Sequence, residues 1–167
     1  MKVTVQSLAV VFILSCAAFP AGAGQQADAG RLKQQLVGSY KLISYVNYDQ
    51  NGVATDSPYT IGQIVYDAAG RISAQLMRDG RPRMTTSRPS EAERAAAYSS
   101  YISYFGHYTI DADKRAVTHH VEGSVSPNLV GGELVRFFEF SPDGKSLFLT
   151  VKDGNRVTAK LQWDRYQ

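Results

Sequence analysis

The sequence predicts an all-β fold: an eight-stranded antiparallel meander closed into a β-barrel, with one helix between the third and fourth strands. Three observations predict it. Eight segments alternate apolar and polar residues and are rich in aromatic and β-branched side chains. Short turns built from Gly, Pro, Asn and Asp join most of them, which makes sequential neighbours antiparallel. Only one connection, residues 79–103, is long, whereas a two-sheet sandwich usually needs several long crossovers. Closure into a barrel removes exposed edges, and about eight strands leave room for one small ligand.

The first 23 residues read as a secretory signal peptide. Lys2 supplies the positive start. Leu8 to Phe19 is apolar but shorter than the ~20 residues that span a bilayer, and Ala21-Gly22-Ala23 is a cleavage site before Gly24. The segment Ile13-Leu14-Ser15-Cys16 loosely matches a lipobox, so a lipid anchor on Cys16 is the alternative. Either way the destination is export, to the periplasm or the medium. Cleavage at Ala23 leaves residues 24–167, one domain by length, and removes Cys16, the only cysteine, so no disulfide is available. Without Lys2 there remain 17 basic against 15 acidic residues, too balanced for a nucleic-acid binder. No other segment is apolar and long enough to span a membrane.

Residues 24–35 form a flexible lead-in with at most a helical turn, carrying Leu32 and the start of the domain at Leu36. The first strand runs from Leu36 to Tyr48 and ends at the turn Asp49-Gln50-Asn51-Gly52. Residues 53–60 are irregular. Ile61 to Asp67 and Arg71 to Arg78 are the second and third strands, the latter with Ile72, Ala74 and Leu76 on one face and Ser73, Gln75 and Met77 on the other. After an Arg- and Pro-rich loop, Ser90 caps a helix whose first turn holds Glu91 and Glu93. Tyr98, Tyr101 and Phe105 follow at helical spacing and extend it as an aromatic stripe. Tyr104 to Ile110 and Val117 to Glu122 make a hairpin around Asp111-Ala112-Asp113-Lys114. Glu133 to Phe140, Ser146 to Lys152 and Arg156 to Tyr166 complete the meander.

The hairpin holds all three histidines. Strand alternation turns His119 inward with Val117 and Val121, and His120 outward with Thr118 and Glu122. Arg136 alternates with Leu134, Phe138 and Phe140. If that set faces inward, the arginine needs a carboxylate partner or an anionic ligand. A neutral imidazole beside it could donate, accept or shuttle a proton, or serve only as a hydrogen-bonded core residue. A metal site would have to use His107, His120 and Glu122 across the hairpin. No third histidine follows at a metal-like spacing on one face, so no metal is expected. There is no nucleophile elbow, no mature cysteine and no phosphate loop.

Leu36-Val37-Gly38-Ser39-Tyr40-Lys41-Leu42 resembles the opening strand of the bacterial and fungal lipocalin-like domain family. The resemblance continues through Gly62-Gln63-Ile64-Val65-Tyr66, Gly70 to Met77, Tyr104 to Tyr108, Val117 to Glu122, Pro127-Asn128, Arg136 and Leu161 to Arg165. It implies a calycin-type barrel over residues 36–167 with a central pocket. Tyr40 stands where lipocalins place a tryptophan, and Arg165 is expected to cover it. The residues expected to meet a ligand are His119, Arg136, Tyr104, Tyr108, Phe138, Met77 and Tyr66, with His119 the candidate for catalysis. Three functions remain open: binding of a small apolar or carboxylate-bearing molecule, an isomerase, cyclase or lyase using His119 and Arg136, or a structural barrel with a filled interior. None of them calls for a cofactor.

Overall fold

The computed structural model describes residues 21–167. Most of the expected leader, with Cys16, lies outside the described residues. The barrel strands are β1 (Gly38–Tyr48), β3 (Tyr59–Tyr66), β4 (Arg71–Arg78), β5 (Tyr101–Asp111), β6 (Ala116–Ser124), β7 (Glu133–Phe140), β8 (Ser146–Asp153) and β9 (Arg156–Arg165). Each pairs antiparallel with the next, and β1 pairs with β9 from Tyr40↔Arg165 to Asn47↔Ala159. The eight strands therefore close on themselves. A short β2 (Ala54–Asp56) lies in the segment expected to be irregular. It covers the part of β1 that β3 leaves unpaired, with Thr55 opposite Asn47.

Alternation places the side chains as the sequence pattern requires. Ile72, Ala74 and Leu76 of β4, Leu147 and Leu149 of β8, and Ala159, Leu161 and Trp163 of β9 are buried in one core. The core extends to α1 (Ala21–Leu36), longer than the single turn the sequence suggested. Its Leu32 and Leu36 lie four residues apart, so both face the barrel floor.

The helix between the third and fourth strands is α2 (Glu91–Ser99). Its start is as expected: Ser90 Oγ accepts from the Glu93 amide, and the Glu93 carboxylate accepts from the Ser90 amide. The aromatic stripe is a correction. The helix stops at Ser99, and Tyr101 opens β5 opposite Met77. The period of two in Ile102, Tyr104, Gly106 and Tyr108 prevails over the period of 3.6, because it lets the backbone pair with all of β4. Phe105 consequently points outward, half exposed, with its ring over Gly123.

One side chain fastens the closed end. Arg165 lies over the Tyr40 ring at 4.7 Å from its centroid. It donates to the Tyr40 hydroxyl (2.6 Å), to the Val37 carbonyl (2.7 Å) and to the Gln35 carbonyl (2.8 Å). Tyr40 in turn donates to the Leu36 carbonyl (2.9 Å). One guanidinium thus ties the last strand, the first strand and the C-terminus of α1, where the orphan carbonyls need donors. Gly38 is required beside it, because a Cβ there would collide with the guanidinium. Replacing Arg165 with Ala should cost about 2–3 kcal/mol, and Lys should rescue only part of that. In thermal denaturation the loss would read as a drop of roughly 5–10 °C, and an unchanged midpoint would show that the clasp is not holding the barrel.

Candidate functional site

The lumen is filled at the α1 end and hollow at the other. Tyr40, Tyr66, Tyr108, Phe138 and Phe140 occupy the lower half. Above them is a cavity of about 210 Å³. Its walls are mostly aliphatic, from Ile64 and Leu76 on one side to Leu149 and Leu161 on the other, with Ile102, Leu129 and Leu134 among the other lining residues. Four lining residues carry polar groups: Tyr45, Tyr104, Arg136 and Trp163. A cavity of about 150 Å³ holds benzene, so this one suits a molecule somewhat larger than benzene.

Tyr45 was not foreseen. Simple alternation puts it with Lys41 and Ile43, outside. The pairing of β1 with β9 slips between Leu42 and Ser44, and this irregularity swings Tyr45 onto the inner face.

The inward histidine lies one layer below the cavity. His119 has no solvent exposure, and both ring nitrogens are bonded to tyrosines. Nε2 is 2.7 Å from the Tyr66 hydroxyl and Nδ1 is 3.0 Å from the Tyr104 hydroxyl. Hydrogen-bond accounting assigns the protons. Tyr66 is fully buried, and His119 Nε2 is the one acceptor within its reach among the described residues. Tyr66 must therefore donate to Nε2, or its own proton would be buried without a partner. His119 Nδ1–H then donates to Tyr104, which leaves the Tyr104 O–H free to donate into the cavity.

Burial holds the His119 pKa down to about 3, helped by the positive charge of Arg136 and by His120. The imidazole is neutral at physiological pH. Burial also raises the Tyr104 hydroxyl above its ordinary value, with Arg136 offsetting part of the rise. Tyr66 is pushed well above 10 by the same burial.

Arg136 does face inward, on the same side of the sheet as His119. Its Nη1 donates to the Val135 carbonyl at 2.9 Å. Among the described residues no carboxylate forms an ion pair with it, and neither Asp nor Glu lines the cavity.

The remaining expected residues separate. Phe138 and Tyr108 are buried in the filled half, where Tyr108 donates to the Asp67 carbonyl at 2.8 Å. Tyr66 reaches the cavity only through His119. Met77 is a correction to the expected lumen set: it shares the outer face of β4 with Ser73 and Gln75 and lines an exterior groove with Ile61 and Tyr101. His107 and His120 stack on the outer surface at 4.5 Å between ring centroids. Glu122 accepts two bonds from Arg71 (2.7 and 2.6 Å) and lies 2.9 Å from His107 Nδ1, which together hold its carboxyl down to about 2. His120 pairs with Glu133 instead. The potential metal ligands are thus used in separate surface pairs, and no group of three among the described residues is arranged to hold an ion.

The family model for the lipocalin-like domain matches residues 37–166. The chain belongs to the lipocalin-like domain family. No curated protein matches the sequence. Among solved structures, the lipocalin-like barrel is similar to a redesigned β-barrel at 11% identity, with 82% of this chain and 96% of that one covered and a TM-score of 0.42. A de novo designed fluorescence-activating β-barrel is similar at 9% identity, over 80% of this chain and 96% of that one, with a TM-score of 0.40.

The depressed histidine makes a stability prediction for the lipocalin-like barrel. In the unfolded chain a histidine takes up a proton near pH 6.5, while folded His119 resists it down to about 3. Between those values the unfolded state binds more protons, so stability falls as pH falls, by about 1.4 kcal/mol per pH unit. Denaturant titrations from pH 7 to 5, above the range of the surface carboxylates, should show this slope in the wild type and a shallower one in His119→Gln. Equal slopes would mean that His119 is protonated in the native state.

Proposed function

We propose that this protein binds one small, mostly apolar molecule in the upper lumen, with an anionic or carbonyl oxygen of that molecule set against Arg136 and Tyr104. One observation carries the reading: a guanidinium on the wall of an apolar cavity has no carboxylate to neutralise it among the described residues. A charge beside low-dielectric walls favours a counter-ion far more strongly than one in water does. A ligand oxygen there also receives the Tyr104 O–H, which His119 holds in place from behind.

The protonation states favour a binder over an isomerase, cyclase or lyase. A general acid or base works best with a pKa near the operating pH. His119 is held neutral and does not touch the cavity, and Tyr104 is displaced away from neutrality, not toward it. The cavity itself argues against a purely structural barrel, since Phe138 and Phe140 fill only one half.

Isothermal titration with 4-isopropylbenzoate and with 4-isopropylbenzamide tests the reading. The carboxylate should bind, and Arg136→Gln should weaken it roughly 10- to 100-fold while leaving the amide within a few-fold. Carboxylate binding that ignores Arg136 would overturn the assignment. His119→Gln should change affinity only a few-fold.

We infer from the leader-like sequence of residues 1–23 that the protein is exported and that residues 24–167 are the working form. Intact-mass analysis of protein recovered from the native host's envelope and medium should return a chain beginning at Gly24, whereas a lipidated Cys16 would replace free export with an anchor.

A further inference from the structure

Trp163 is the one buried side chain among the described residues whose polar atom has no hydrogen-bond partner: its indole Nε1–H meets no acceptor. The residue is 1% exposed and lines the same cavity as Arg136 and Tyr104. Native proteins rarely leave such a donor unmet, because its desolvation is not repaid. Phenylalanine would fill the position without that cost. The wall offers the indole no remedy. No Asp, Glu, Asn, Gln, Ser or Thr lines the cavity, Tyr104 already accepts from His119, and Tyr45, the other phenol on the wall, makes no bond to the indole.

The polar inventory of the lumen is therefore donor-rich. The Arg136 guanidinium and the Tyr104 O–H serve one acceptor group, the indole N–H awaits another, and the Tyr45 hydroxyl can donate or accept. We infer that the ligand carries two separate acceptor groups on an apolar frame, a carboxylate for Arg136 and Tyr104 and a carbonyl or ether oxygen for Trp163. This is the chemistry of a small oxo- or alkoxy-carboxylate, as opposed to a plain hydrocarbon acid. It rests on the lumenal binding proposed above and narrows it to a ligand class.

The protein carries its own reporter, because Trp163 is its only tryptophan. Indole fluorescence and the single indole N–H resonance in a ¹⁵N-labelled sample both read this site alone. The probes are 3- and 4-acetylbenzoate against 3- and 4-isopropylbenzoate, matched in size and differing in the second acceptor. At least one acetyl probe should bind the wild type about fivefold or more tighter than its isopropyl counterpart and move the indole N–H downfield. In Trp163→Phe that preference should fall to about one. The resonance is read on the wild type, so the inference stays testable even if the variant folds poorly. Equal binding of both kinds of probe with an unmoved indole resonance would overturn the two-acceptor ligand and leave the carboxylate site standing. An acetyl preference that survives in Trp163→Phe would overturn it too. Failure of every probe to bind would overturn the lumenal binding site itself, and the inference with it.

Discussion

An imidazole with no solvent exposure has two ring nitrogens, and both must be partnered inside the barrel. That requirement at His119 organises the lumen. Tyr66 answers it from below and Tyr104 from above, on strands separated from each other by β4. The three side chains form a hydrogen-bonded floor across the barrel. Everything beneath is packed to the α1 end, and what lies above stays hollow. A leucine in place of His119 would demand no such partners, and the two phenols would become buried hydroxyls in need of new ones. Polarity in this core is therefore mutual: each of the three groups is affordable because the other two are present.

The same arrangement gives the cavity its chemical sign. With Tyr66 donating to Nε2, the imidazole passes a donor upward, and Tyr104 turns its own proton toward the cavity. Arg136 adds positive charge and Trp163 a further donor, so three of the four polar groups on the wall favour an acceptor, while the Tyr45 hydroxyl can donate or accept. The arginine also reinforces the floor: its charge is one of the causes that keep His119 neutral. A bound carboxylate would offset that field and ease the His119 pKa upward. Ligand charge and histidine protonation would thus be linked through one guanidinium.

Much of this was legible from residue order alone, where a period of two ran unbroken. The inward placement of His119 and Arg136, the outward placement of His120, the buried faces of β4, β8 and β9, and the cover of Arg165 over Tyr40 all follow from alternation or from the family resemblance. The losses came where periodicity was interrupted or ambiguous. Tyr45 enters the lumen because the ladder slips by one residue, and nothing in Leu42-Ile43-Ser44-Tyr45 announces a slip. Tyr98, Tyr101 and Phe105 fit a helical stripe as well as anything local could, yet the unpaired edge of β4 claimed Tyr101 for a strand. Alternation also cannot tell a filled level of a barrel from a hollow one. Phe138 and Arg136 share an inner face, but only the second reaches the cavity.

Trp163 shows what that blindness conceals. Its position in an inward run with Ala159 and Leu161 makes it read as filler, and by area it is filler: the indole buries more apolar surface than any neighbour on β9. Its single polar atom changes its meaning, and that atom becomes informative only once its surroundings are counted. Arg165 is the contrasting case on the same strand, a charged group that donates to Tyr40, Val37 and Gln35 and thereby builds the barrel. Two residues apart, one side chain makes three hydrogen bonds within the protein and the other leaves its single donor unused. In a fold whose lower half satisfies itself so thoroughly, the unsatisfied groups collect around one cavity, and their chemistry describes the molecule that would complete it.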